Sequence, residues 1–240
     1  MTTVAIHQPN YIPWPGYFHK LAASDVFVYL DAVQYPRGQS FAARNRIKTP
    51  NGATFLTVPV SVPKGSEGKA SYLEVDFADD KWRKKHLATV EQSYARAPHF
   101  DEIFGLYAPE VEAGETLVAL NIALVDAFAS YLGITTRRLR LSELLPSFGH
   151  KTDLIVDVCR ALDASAYLSG SGGGREYTDE AVLKEHGLEL RFDEFQYPHY
   201  EQLCGEFEPN LSVLDVLFNC GPASRKLVVG DSAAPGHARV

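Results

Sequence analysis

An imidazole and a carboxamide, His7-Gln8, open the run HQPNYIPWPGYFHK at residues 7–20, and Tyr11, Trp14, Gly16, Tyr17 and Lys20 follow at short spacing among three prolines. Histidine titrates nearest neutral pH, which makes His7 the candidate general base. Tyr11 and Trp14 offer flat faces to a base or sugar ring. Pro9, Pro13 and Pro15 stiffen the loop that carries them at little entropic cost. Gly16 would open a helix whose first amides point back toward the same place, a natural anion site. Gln8, Tyr17 and Lys20 complete a polar contact set for a substrate. The plainer alternative is a rigid loop whose aromatics cover a sheet, with His7 a satisfied core residue.

Further clusters lie downstream. In RNRIK, residues 44–48, a strand would project Arg44, Arg46 and Lys48 from one face, a basic row suited to phosphate or carboxylate, with Asn45 on the other side and Arg37 a further candidate. An ordinary solvated strand face is the alternative. SGSGGGREY, residues 169–177, lets backbone approach a ligand closely through Ser169, Gly170, Ser171, Gly172 and Gly173. It lacks the Gly-Lys-Ser/Thr ending of a phosphate loop, and Arg175 stands where a dinucleotide fingerprint needs its last glycine. Glu176, Asp179 and Glu180 oppose a phosphate there, so a ribose, sugar or amine contact is as credible as an anion. Asp31 at a strand end is a second candidate base or an orienting group for His7, and Gln34 follows in a similar position. More often such an aspartate only caps a turn. No HExxH, paired CxxC or GxSxG occurs, which leaves zinc-hydrolase and serine-hydrolase chemistry without support.

The elements that must position these groups alternate. Residues 3–7 and 25–31 are short β-branched and aromatic runs that predict buried strands, joined by a Pro-rich loop and a helix over about 16–23. Residues 44–48 and 54–60 alternate as a hairpin around Asn51-Gly52. YLEVDF, from residue 72, suggests another strand. From about 79 to 133 the pattern is helical, over 79–96, 98–107 and 115–132, an insert in the fold. Strands at 136–142, 166–169 and 188–195 then alternate with helices at 152–162 and about 178–186, and a helix around 211–219 is the last ordered element expected. The fold class is α/β, a mostly parallel Rossmann-like sheet with a β-hairpin and a helical insert. One domain over 1–225 is expected, with 231–240 a flexible tail.

Composition narrows the functions. No apolar run of about 18 residues would span a bilayer, so membrane insertion is not expected. The start carries no basic segment followed by an apolar one, which argues for the cytoplasm. The three cysteines, Cys159, Cys204 and Cys220, lack metal spacing and fit a reducing compartment, with Cys159 a core thiol. A net charge of −7 disfavours non-specific nucleic-acid binding.

HQPNYIPWPGYFHK, DVFVYLDAVQY, RNRIKTPNG with TVPV, YLSGSGGGREY and LSVLDVLFNCG together resemble the WbqC-like proteins over nearly all of residues 4–222. That resemblance implies a bacterial protein of O-antigen or related biosynthetic clusters, and it carries no catalytic residue list. Ala32 stands where the family pattern often has a second acid, LDDVQ, so no role is carried over to it. The layout of strand, aromatic loop, Gly and helix also looks like the opening of the nucleotidylyltransferase-type fold. Its HxGH motif would fall on Trp14-Pro15-Gly16-Tyr17, where neither histidine is present.

The leading expectation is a biosynthetic transferase modifying a sugar or small polar metabolite, for example by acyl or aminoacyl transfer to a nucleotide-linked amino sugar. His7 and Asp31 would be its catalytic groups. The cofactor is unassigned, with a nucleotide or nucleotide-sugar the candidate. The rivals are a nucleotidyltransferase-like or ATP-dependent activating enzyme, and a non-enzymatic binding or scaffold partner of a glycan-assembly enzyme.

Overall fold

The computed structural model describes residues 1–36, 38–66, 69–170 and 178–230. Arg37, Ser171, Gly172, Gly173, Arg175 and the expected tail at 231–240 lie outside the described residues.

Five parallel strands form the main sheet: β1 (Thr3–His7), β2 (Val26–Tyr29), β7 (Arg137–Arg140), β8 (Ala166–Gly170) and β9 (Glu189–Asp193), in the order β7-β2-β1-β8-β9. Counted within this sheet alone, the order is 3-2-1-4-5. The chain therefore leaves β1 in one direction, through α1 (Pro15–Ala22) to β2, and later returns past β1 to build β8 and β9 on the other side. A right-handed crossover puts helices on opposite faces when the direction reverses. Accordingly, α1 packs Phe18 and Leu21 with Ala5 and Phe27 on one face. α6 (Thr152–Ala161) and α7 (Glu180–Glu185) cover Val4, Ile6 and Val28 on the other. Cys159 sits in that second core, and burial pushes its thiol up to about 11.

The long excursion from β2 to β7 carries two antiparallel pairs and the helical insert. β3 (Arg44–Thr49) and β4 (Gly52–Thr57) make the expected hairpin, but only Gly52 takes a positive φ, at 96°. The expected strand at 72 starts instead as a turn of 3₁₀ helix, Tyr72–Glu74. Ser71 and Glu74 form a capping box, with Ser71 N–H donating to Glu74 Oε2 at 2.8 Å, and this local bond wins over extension. Only Asp76–Phe77 (β6) then pairs, with Val60–Ser61 (β5).

The insert is α2 (Lys81–Tyr94), α3 (Phe100–Ala113) and α4 (Leu117–Tyr131). In α4, Leu117, Leu120, Leu124, Val125 and Phe128 are fully buried, each contributing about 1.5–3 kcal/mol relative to exposure. Thr116 caps its start by accepting from Ala119 N–H. Its end is fixed by Gly133, at φ 65°, with Gly133 N–H on Ser130 O and Ile134 N–H on Ala129 O. The expected strand over 136–142 shortens to β7 and turns into a short helix, α5 (Leu141–Leu144). After α8 (Val213–Cys220) comes a helix that the sequence pattern did not predict, α9 (Ser224–Val229), whose Val228 and Val229 are buried.

A hydrogen-bond chain ties the insert to the loop after β1. His86 Nε2 faces Thr57 O, which can only accept, so the ring donates there and its Nδ1 accepts from Tyr11 Oη–H at 2.9 Å; Tyr107 donates in turn to Tyr11 at 2.7 Å. Burial pushes the His86 imidazole down to about 4. A folded value below the unfolded one, about 6.5, means this stability is present above pH 6.5 and lost as pH falls to 4, amounting to about 3 kcal/mol. Urea denaturation between pH 7 and pH 4.5 should show this loss. The pH slope should be flatter in His86→Leu, and an unchanged slope would rule out His86 as its source.

Candidate functional site

The carboxyl ends of the parallel strands share one edge, and in such sheets ligands bind where the strand order reverses. Here that point is between β1 and β8. Their ladder ends at Ala5↔Leu168, two residues short of His7 on one side and of Gly170 on the other.

His7 stands half-buried at this opening. Its ring centroid is 4.7 Å from that of Tyr17 and 5.5 Å from that of Trp14. Its Nδ1 lies 3.1 Å from Gln8 O, and a carbonyl can only accept, so the proton sits on Nδ1 and Nε2 is left bare. Burial, with the nearby Lys20 ammonium, holds the imidazole well below its ordinary value, while the bond to Gln8 O pulls the other way. The ring is therefore neutral at physiological pH, with a lone pair to accept a proton. Tyr17 is fully buried beneath it and donates to Gln8 O at 3.2 Å, so it supports the site without reaching a ligand.

Lys20 comes in behind. It is 5% exposed and donates Nζ–H to Ile6 O at 3.0 Å; burial pushes it down to about 8, opposed by the Asp193 carboxylate. Asp193, buried at the end of β9, accepts from His19 Nδ1 at 2.6 Å. This pair orients the His19 ring on a side chain 30% exposed. His7 and Lys20 act on one another through charge, as do Lys20 and Asp193, and Asp193 hydrogen-bonds His19.

A lysine held down to about 8 is a liability to the fold. The unfolded chain keeps its proton up to about 10.5, so the penalty, about 3 kcal/mol, is fully present below pH 8 and disappears as pH rises toward 10.5. Lys20→Met should therefore raise stability at pH 7 by about 1–3 kcal/mol in urea denaturation. A destabilised variant would show that Lys20 serves packing.

The loop that carries Trp14 is clamped by its carbonyls. Asn121 donates to Pro9 O at 2.8 Å and to Ala42 O at 2.7 Å, Asn45 donates to Ile12 O at 2.9 Å, and Val213 N–H donates to Pro13 O at 2.8 Å. Ile12, a β-branched residue, is held at φ 37°, a strain that persists only where the surroundings over-determine it.

Several residues singled out in the sequence are placed elsewhere. Tyr11 is fully buried in the hydrogen-bond chain with His86 and cannot stack on a ligand. Gly16 does not present an open anion site: a Cβ there would lie 2.7 Å from Phe195 Cδ1 and 2.9 Å from Trp14 Nε1, so the glycine lets these rings close over the helix start. Asp31 is fully buried on the β7 side, with its oxygens taken by Ser142 N–H at 3.0 Å and Ser142 Oγ–H at 2.7 Å. It caps α5 and is no base. Gln34 is exposed, and its backbone bridges Ser71. Asn45 is buried in the loop clamp.

Two members of the basic row of β3, Arg46 and Lys48, face the segment 199–208. Lys48 is 3% exposed and donates to Gln202 and to Glu206 O. Arg46 lies 3.6 Å from Glu208, and Arg44 sits over the Phe55 ring and against Gln39. None of the three hydrogen-bonds or ion-pairs with His7, Lys20 or Asp193. Ser169 is fully buried, with Gly170 half-buried beyond it.

At the same edge, against the starts of α6 and α7, lies a hollow of about 610 Å³ lined by His150, Lys151, Asp153, Thr178, Asp179 and Glu180. Its carboxylates suit hydroxyl or amine groups better than phosphate.

The sequence reading missed His19, Asp193 and Phe195. Among the described residues no cluster of three or more His, Cys, Asp or Glu could hold a metal ion, and no helix is long and apolar enough to cross a membrane. No solved structure matches the chain. It is 40% identical over 224 residues to "Uncharacterized protein Rv1507c" of Mycobacterium tuberculosis (strain ATCC 25618 / H37Rv), covering 92% of this chain and 95% of that protein. The family model described as "WbqC-like protein family" matches residues 8–227, with the His7 strand end at its border and Gln8, Trp14, Lys20 and Asp193 inside, and the chain belongs to that family.

Proposed function

We propose that this chain is a biosynthetic transferase that moves an acyl or aminoacyl group onto the amine or hydroxyl of a small polar acceptor, with a nucleotide-linked amino sugar the acceptor class that suits it best. The observation that carries this is the unprotonated His7 Nε2, half-buried beside Trp14 at the point where strand order reverses, together with the His19 ring that Asp193 orients on the helix that follows. In an order-3-2-1-4-5 sheet that point suits a nucleotide, although fold alone does not select a reaction.

His7 accepts the proton as the acceptor nitrogen or oxygen attacks the acyl carbon, the bond to the leaving group breaks, and the proton passes to that group. Trp14, half-buried beside His7, offers a ring face to the sugar or base. The acid-lined hollow supplies contacts to hydroxyls and amines.

Thermal shift with UDP-N-acetylglucosamine, alongside mass spectrometry of small molecules released from the purified protein, tests this. A ligand at 100 times its Kd raises stability by about 2.7 kcal/mol. Stabilisation by the nucleotide-sugar is expected to survive in His7→Ala, because the base is not the anchor. No stabilisation by any nucleotide or nucleotide-sugar, together with no co-purifying small molecule, overturns the proposal. Release of pyrophosphate from an added NTP would move the assignment to an activating enzyme.

A further inference from the structure

The outer edge of β4 is an open strand edge lying beside a cationic helix face. Thr49 pairs with Gly52 across a two-residue turn, and from there bonded and non-bonded pairs alternate along the ladder. Three bonds fix the phase: Lys48 N–H donates to Tyr94 Oη, Arg46 O accepts from Ser212 N–H, and Thr57 O accepts from His86 Nε2–H, all directed away from the ladder. The same phase turns the N–H and C=O of Ala53 and Phe55 outward, where they have no backbone partner among the described residues. Proteins usually blunt such edges with charge or proline. GATFLT has neither, and Phe55 is 43% exposed on it.

Helix α2 crosses the hairpin from this edge, where His86 bonds Thr57 O, to the outer edge of β3, where Tyr94 bonds Lys48 N–H. Two adjoining hollows, of about 480 and about 490 Å³, lie between β4 and α2 and share Thr54 and Thr89. A strand of 6 residues is roughly 20 Å long, so the edge of β4 fits an extended segment of about six residues. Lys81 and Lys85, one helical turn apart, line the groove against one carboxylate, Asp79, which accepts from Lys81 N–H, and neither ammonium has a carboxylate within ion-pair distance among the described residues; Asp80 is taken by Arg83. Like charges at this spacing repel, and a carboxylate between them relieves the repulsion.

We propose that this groove binds an extended acidic segment of a partner protein, which adds as a strand to the outer edge of β4 between Lys81 and Lys85 on one side and Ala53 and Phe55 on the other. Backbone bonds supply affinity and the lysines select charge. This proposal is independent of the transferase reading.

The test is fluorescence anisotropy with a labelled seven-residue peptide of alternating glutamate and valine, against the lysine–valine counterpart and a copy N-methylated on alternate backbone amides. Saturable binding of the glutamate peptide is expected, at least tenfold weaker for both control peptides. Ala53→Pro removes only an outward N–H, so the ladder stays intact, and a tenfold loss is expected there and in Lys81→Glu/Lys85→Glu. The doubly charge-reversed protein serves if the proline variant fails to fold by circular dichroism. Absence of binding, equal binding of the lysine peptide, or indifference to N-methylation overturns the proposal. So does a dimer of the chain alone, seen by sedimentation and lost in Ala53→Pro, which would assign the edge to a second copy.

Discussion

Turnover is expected to fall about 10²–10⁴-fold in His7→Ala, roughly 3–5 kcal/mol of barrier, with the fold intact. The pH profile separates a base from a structural residue. His7 is held well below its ordinary value and Lys20 is pushed down to about 8. The wild-type rate should therefore hold level through neutral pH and fall only on the acid side, below the ordinary imidazole range, where His7 gains a proton. In Asp193→Asn, His19 loses the acceptor that orients it, so turnover should fall while the acid limb set by His7 stays in place. Unchanged turnover in Asp193→Asn would separate His19 from the reaction. Undiminished turnover in His7→Ala would remove the proposed base.

The second large effect is on stability. Asp215 is fully buried in α8 and accepts from Tyr94 Oη–H at 2.8 Å and Tyr200 Oη–H at 2.8 Å, with the Lys48 ammonium close enough to favour its charge. Burial pushes its carboxyl up against those three influences. Asp215→Ala strands two buried hydroxyls and leaves a buried lysine without its counter-charge, a loss of about 3–5 kcal/mol. Asp215→Asn keeps one carbonyl acceptor and should lose less than half of that. Urea denaturation at pH 7 checks both. Equal losses in the two variants would show that shape and not hydrogen bonding dominates there.

This network explains why Lys48 was misread from sequence. Alternation correctly puts Arg44, Arg46 and Lys48 on one side of β3, but what faces Arg46 and Lys48 there is the segment 199–208, about 150 residues away in the chain. Local pattern carries no such information. Tyr11 fails in the same way, since His86 and Tyr107 that bury it arrive on the insert. Asp31 looked like a strand-end base because its partner, Ser142, is 111 residues on.

What was legible depends on nearby residues. The strands, the hairpin and the insert helices follow from period, and His7, Gln8, Trp14 and Lys20 are placed together because one loop and one helix turn carry all four. His19 was visible in the same motif, and its meaning came only with Asp193. The strand read over 188–195 ends at Asp193, so a carboxylate that seemed to lie inside the strand is in fact at the ligand edge. The capping box at Ser71 was readable and outweighs the β-prone Tyr72 and Val75 around it.

Histidine-ring ¹H–¹⁵N spectra recorded during titration with UDP-N-acetylglucosamine test the central claim most directly. The His7 and His19 rings are expected to shift together and saturably, free His7 to carry its proton on Nδ1, and the buried His86 ring to stay still. Saturable binding that leaves both His7 and His19 unmoved would contradict it.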